Sequence, residues 1–330
     1  MPKALTFFLR RLVQAVPIVV GIAVFNFLLV HMAPGDAADV LAGEAGGATP
    51  EYVDQLKSKF GLDQPLYIQL GKYLWNVVTL DLGFSFRHNM PVTDLILARL
   101  PATLLLMVCA IVLAFSLGVL FGVAASRYVN RWPDRLISVG ALLAYATPIF
   151  WIGLMMILLF SVNLGWLPSN GMETIGAGYA GWDRLVDVAR HLILPSLTLS
   201  LFYMALYTRL MRASMLEVYG LDYVTVARAK GVTEAAIAWR HVLRNALLPM
   251  VTMLGLQVGS LLGGSVLVET VFGWPGLGRL AFESVFQRDY NLLLGVLLLS
   301  SVMVVIVNIL VDLLYAFLDP RIEVGGTVKG

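Results

Sequence analysis

Cysteine occurs once in these 330 residues, at Cys109. One thiol can build neither an intrachain disulfide nor a Cys-rich metal site. Placed in an apolar run, it reads as a small buried hydrophobe. Charge is scarce as well. Asp, Glu, Lys and Arg make up 13% of the chain, against about 25% in soluble domains. The net charge of +2 says little about partners, and nucleic acid is not among those expected. The four histidines, His31, His88, His191 and His241, are scattered. No H-E-x-x-H occurs, and no G-x-x-x-x-G-K-[ST], so the chain has no phosphate-cradling loop of its own. The peptide Gly176–Gly181, GAGYAG, spells the dinucleotide fingerprint. It follows no strand and is expected to open no helix, so it carries no weight.

Apolar residues are what the chain has. They make up 59% of it, at a mean hydropathy of +0.82. A soluble globule of this size cannot hide so much apolar surface. The expectation is an all-α membrane protein, because lipid offers no partners for an open backbone. Six segments are long enough to cross about 30 Å of hydrocarbon: 12–32, 102–125, 136–162, 192–211, 246–268 and 291–317. Each is expected to be one continuous helix. Arg209 and Asp312 fall near span ends, where a charge reaches the interface. The first apolar run outlasts a signal-peptide core and no clear cleavage site follows, so it reads as a retained anchor.

Lys and Arg set the orientation. They gather at Lys3, Arg10 and Arg11, at Arg127, Arg131 and Arg135, between Arg209 and Arg244, and at Arg321 and Lys329. These are alternate segments, which puts both termini in the cytoplasm. Residues 1–101 then form an N-terminal span and a large extracytoplasmic loop. Residues 102–320 form the core, with a cytoplasmic loop at 216–246. In the outer loop, Thr49-Pro50-Glu51 reads as one helix start and Pro65 as another, with Leu66, Leu70, Trp75 and Val78 nearly on one stripe. Residues 81–96 read as an extended linker. Glycine is patterned inside the spans. Gly118 with Gly122, and Gly255, Gly259 and Gly263, put smooth strips on helix faces. Gln257, Ser260 and Gly263 mark a candidate polar passage. The peptide Glu269–Tyr290 reads as a short interfacial or re-entrant helix near an outer gate.

The most polar stretch lies in the middle of this apolar chain, at Asp222–Pro249. Asp222 is placed to cap a short helix, with Arg228 and Lys230 at its negative end. Gly231 stands where a helix-terminating glycine belongs. Thr233 is placed to cap a second helix, with Glu234 in its first turn. Arg240 and Arg244 share a face, and Ile237 and Val242 supply apolar contact. Ala227, Ala229 and Gly231 give the elbow a small exposed surface. Such a knob suits a docking groove on another protein.

The run ARAKG followed by RHVLRNALLP (Ala227–Pro249) resembles the cytoplasmic EAA loop of binding-protein-dependent ABC importer permeases. FLRRL (Phe8–Leu12), HMAPGD (His31–Asp36), ETVFGWPGLG (Glu269–Gly278) and NILVDLLYAFLDPRI (Asn308–Ile322) are similar to the dipeptide/oligopeptide/nickel branch of that family, in the same order. Thr225 and Val226 depart from the general consensus, as that branch does. The resemblance implies a type I ABC importer permease fold in a bacterial cytoplasmic membrane. It implies an elbow of Asp222, Ala227, Arg228, Lys230, Gly231 and Glu234 seated in a separate ATP-hydrolysing subunit. The chain itself would be non-catalytic and hold no cofactor, with ATP and Mg used by two ABC ATPase subunits. A second permease subunit, by the resemblance a paralogue, and a periplasmic or lipid-anchored solute-binding protein would complete the assembly. Peptides are the first cargo implied; nickel chelates, glutathione and opine-like solutes are alternatives. An ion-coupled secondary transporter would favour an ionisable group at mid-membrane, and the middles of the six segments offer none. An intramembrane enzyme would need a catalytic pair inside a span, and none is evident.

Overall fold

The structure is a computed structural model that describes residues 3–32, 58, 63–85 and 87–318. Helices dominate it. In chain order they are α1 (Lys3–His31), α2 (Leu66–Val78), α3 (Val92–Arg127), α4 (Trp132–Ala146), α5 (Ile149–Met156), α6 (Gly181–Tyr219), α7 (Asp222–Ala229), α8 (Glu234–Ala236), α9 (Leu243–Val271), α10 (Leu277–Phe286) and α11 (Tyr290–Leu318). Two π-helical stretches, Ile157–Asn163 and Ile237–Val242, extend α5 and join α8 to α9. Strands β1 (Phe84–Ser85) and β2 (Met90–Pro91) pair antiparallel, with Phe84 opposite Pro91.

Among the described residues, α3, α6 and residues 290–310 of α11 are each long and apolar enough to cross a membrane. The bent pair Trp132–Ala146 and Ile149–Asn163 makes a fourth crossing if it counts as one. Shorter apolar stretches run over Val13–Leu29 and Leu261–Val271.

The expected continuous helix over 136–162 is broken. Its two halves meet at 105°. Pro148 has no N–H to donate and crowds the residue before it out of helical geometry. Thr147 accordingly takes ψ 132°. Its hydroxyl and its N–H both turn back to the Leu143 carbonyl, at 2.7 and 3.0 Å. Two further boundaries move. Helix α6 starts at Gly181 rather than near 192, so the GAGYAG peptide does lead into a helix, although no strand precedes it. Helix α3 starts at Val92, so the segment read as a linker contains the hairpin and the first turns of a helix. The helix expected from Thr49 lies outside the described residues. That expected from Pro65 is α2, which begins on cue.

The chain divides into two compact units. One comprises residues 1–101, 279–313 and 320–330; the other comprises 102–278 and 314–319. In the first, α2 lies against the end of α1. His31 Nε2 and Gln69 Oε1 are 3.1 Å apart, and the rings of Phe27 and Tyr73 stack at 5.7 Å. The hairpin is tied to the start of α11, where Ser85 donates to Asp289 and Asn291 Nδ2 donates to the Phe84 carbonyl at 3.2 Å.

In the second unit, α6 is the packing centre. Tyr207 and Met211 are fully enclosed. A Cβ on Gly118 would stand 2.4 Å from Tyr207 Cβ, and one on Gly122 would stand 2.5 Å from Met211 Cβ. The glycine strip of α3 therefore lets two backbones approach, as its spacing predicts. Helix α4 is fastened to α6 by a bidentate pair. Arg212 donates from Nε and Nη2 to the two oxygens of buried Asp134, at 2.7 and 2.8 Å.

Candidate functional site

The polar island folds as two short helices around a tight corner, entirely within the second unit. Helix α7 opens on Leu221, whose backbone is extended. Asp222 makes no side-chain cap there, contrary to the sequence expectation. It is instead the first helical residue, where its charge still faces the positive end of the helix.

The far end of α7 closes as expected. Gly231 has φ +78°, a conformation that costs a side-chain-bearing residue roughly 1–2 kcal/mol. Its N–H donates to the Arg228 carbonyl at 3.0 Å, and the Val232 N–H donates to the Ala227 carbonyl at 3.2 Å. This pair of bonds is a Schellman closure, which satisfies carbonyls that the helix leaves open. Two residues later Thr233 starts the next helix, its hydroxyl accepting from the Ala236 N–H at 3.4 Å. Gly231 thus stands between two capped helix ends.

Arg228 and Glu234 face each other across the corner. The guanidinium donates from Nε at 2.6 Å and from Nη2 at 3.2 Å to the two carboxylate oxygens. Both side chains are at least half exposed. The hydrogen bond from Arg228 is the main cause that holds the Glu234 carboxyl below its ordinary range, and the same bond raises the Arg228 pKa. These charges are therefore committed first to each other.

The elbow rests on one apolar face. Val224 is fully enclosed and Ala227 is buried. This corrects the expectation that Ala227 is part of the exposed knob. Ala229, Lys230 and Gly231 are exposed, as expected. Beyond Thr233 the buried positions are Ile237, Ala238, Val242, Ala246 and Met250, and from Ala238 onward they recur every four residues, on one helical face.

Sequence reasoning missed two groups. The first is a staple. Tyr223 Oη donates to the His241 carbonyl at 3.1 Å, and Asn245 Nδ2 donates to Tyr223 Oη at 2.7 Å. It fixes α7 against the start of α9. The second is apolar. Leu221, Val226 and Trp239 are exposed at 45%, 51% and 56%. Exposed apolar side chains beside charged ones are the materials of a docking surface. No local pattern marks Tyr223 or Trp239, because both become meaningful only once the corner brings α7 beside the π-helical stretch.

The candidate passage residues lie apart from the elbow on α9. Gln257 is half-buried, and Gly263 is exposed with open space around it. The side chain of Ser260 lies outside what the structure describes.

Comparison with known proteins decides the family. The profile described as "Binding-protein-dependent transport system inner membrane component" matches residues 118–324. The chain belongs to this family. A second profile, for the N-terminal part of such membrane components, matches residues 4–107. The chain is 42% identical to the oligopeptide transport system permease AppB of Bacillus subtilis, over 96% of this chain and 99% of that one. It is 41% identical to the dipeptide transport system permease DppB of Escherichia coli K12, over 97% and 99%. Inward-facing crystal structures of the MetNI methionine ABC transporter share its fold. One superposes with a TM-score of 0.54 at 19% identity, covering 68% of this chain and 96% of that one. The protein is thus a multi-pass inner-membrane transport component with the helical fold of ABC transporter permeases.

Proposed function

We propose that this chain is one permease half of an ATP-driven importer for di- and oligopeptides. The cargo follows from the relatives named above, which are peptide permeases by name and align end to end. The chain crosses the membrane six times with both termini in the cytoplasm. Residues 1–101 supply the first span and the extracytoplasmic loop, and residues 102–320 supply the permease core. ATP and Mg are used by two separate ATPase subunits. A second permease, a paralogue of this chain, completes the conduit, and a solute-binding protein delivers the peptide.

The observation that carries the mechanism is the rigid corner at Gly231. Transport requires a partner that binds two conformations of the permease with different free energy. The partner therefore needs a handle that does not yield when it moves. Two capped helix ends, a Schellman closure, the Arg228–Glu234 pair and the Tyr223 staple make such a handle. Asp222, Lys230 and the Arg228–Glu234 pair form its charged rim, and Leu221, Val226 and Trp239 form its apolar centre. Ala227 anchors it from within, and Gly231 sets its turn. Gln257, Ser260 and Gly263 line the passage. Affinity capture of the chain in mild detergent tests the partner assignment. The expected result is co-purification of an ATPase and a second permease. Capture of the folded chain without an ATPase would count against it.

A further inference from the structure

Glu269 is a fully enclosed acid near the end of α9. Sequence reasoning placed it in the segment outside the spans, whereas the structure makes it part of the long helix. Its surroundings are built closely around it. The Thr103 hydroxyl donates to Glu269 Oε1 at 2.8 Å, and the same hydroxyl accepts the Leu277 N–H at 2.7 Å. The Trp274 N–H donates to the Glu269 carbonyl at 2.8 Å, and the Trp274 indole donates to the Ala102 carbonyl at 2.9 Å. Trp274 is itself wholly enclosed. The glycines of the turn are there for room. A Cβ on Gly276 would stand 2.3 Å from Glu269 Cδ, and one on Gly278 would stand 2.8 Å from Val266 Cα. The peptide Glu269–Gly278 is thus folded around its own first side chain and pinned to α3 at Ala102 and Thr103.

The chain from Glu234 to Val271 is helical without a break. At 1.5 Å per residue this rod is roughly 55 Å long measured along its helix, with Pro249 inside it. The elbow is at one end and the Glu269 cradle is near the other. We propose that Glu269 is a positioning residue for transport. Its carboxylate clamps the Phe272–Gly278 turn to α3, so that displacement of the elbow moves the far turn and α3 as one piece. Without the clamp the rod and its turn still move, but α3 no longer follows them. This inference rests on the importer reading above.

The experiment uses the complete importer in proteoliposomes: this chain, its partner permease, the ATPase subunits and the loaded binding protein. The probe is a tryptic digest of casein. Luminal peptides are counted by mass spectrometry, and ATP hydrolysis is followed in parallel. Two variants are compared at equal amounts of assembled complex, Glu269→Ala and the shape-conserving Thr103→Val. Glu269→Ala is expected to lower the peptide carried per ATP about tenfold, within the usual range of coupling energies, with basal hydrolysis unchanged. Thr103→Val is expected to lower the same ratio, and the double variant to be no worse than Glu269→Ala, because both changes open one clamp.

A normal ratio in both single variants overturns the proposal. So do additive losses, or failure of both variants to assemble, which would make the cradle a folding element only. If the unaltered complex shows no ATP-dependent uptake, the importer reading fails. If it does and Glu269→Ala keeps a normal ratio, only the clamp fails.

Discussion

Arg228 and Glu234 hold each other across the Gly231 corner through two hydrogen bonds, at 2.6 and 3.2 Å. The pair closes the elbow from outside while Val224 and Ala227 anchor it from within. Exchanging the two charges separates shape from docking. Arg228→Glu alone puts two acids together and should loosen the corner. Arg228→Glu with Glu234→Arg should restore protection of the Val232 amide to hydrogen exchange. If docking also reads the position of the charge, ATPase capture will stay weak in the restored elbow.

The same pair has a pH signature. The folded carboxyl of Glu234 lies below its ordinary value of 4.5. A depressed folded pKa stabilises the elbow fully above the unfolded value, and the contribution is lost as pH falls through the folded one. The protection of the corner amides, measured relative to their intrinsic exchange rates, should therefore fall as pH drops below about 4.5. Glu234→Gln should abolish this extra dependence, and its persistence in that variant would remove the pair as the cause.

Gly231 has φ +78° and open space where a Cβ would go. Substitution there is a matter of backbone strain alone. Gly231→Asn should be tolerated, because Asn visits the left-handed region readily. Gly231→Val should cost roughly 2 kcal/mol or more and release the ATPase subunit, with membrane insertion intact. Equal capture by the two variants would show that the corner's conformation does not matter.

Trp239 is the largest exposed apolar group on the elbow, at 56%. Tryptophans at the centre of an interface often cost 2 kcal/mol or more when truncated. Trp239→Ala should weaken ATPase association by at least about tenfold, and Lys230→Ala on the rim should have a smaller effect. Titration of the purified ATPase against the permease in detergent gives both values.

Two glycines on different helices should behave oppositely. Gly122→Ala drives a methyl to 2.5 Å from Met211 Cβ and 2.9 Å from the Thr208 carbonyl. Overpacking of this kind costs about 1–3 kcal/mol, and the thermal midpoint in detergent should fall. Gly263→Ala meets nothing within 4 Å and should leave the midpoint in place.

These contrasts show what local pattern can and cannot carry. The cap at Thr233, the closure at Gly231 and the Gly118–Gly122 strip were legible because each depends on residues within one or two turns. The opening of α2 after Pro65 was legible for the same reason. Proline chemistry at Thr147-Pro148 was equally local, but the apolar run around it masked a 105° bend. The burial of Ala227, the Arg228–Glu234 pairing and the cradle of Glu269 depend on what tertiary structure sets opposite them. Thr103 lies 166 residues from Glu269 along the chain, and no spacing rule joins them.

We propose that a separate ATPase drives this conduit through the elbow. The most direct measurement compares uptake into proteoliposomes that hold both permeases with and without the ATPase subunits. Binding protein and peptide are supplied outside, and ATP inside. Accumulation should occur only with ATPase and ATP together, and should vanish in Gly231→Val. Accumulation by the permeases alone, driven by a proton or sodium gradient, would contradict the claim.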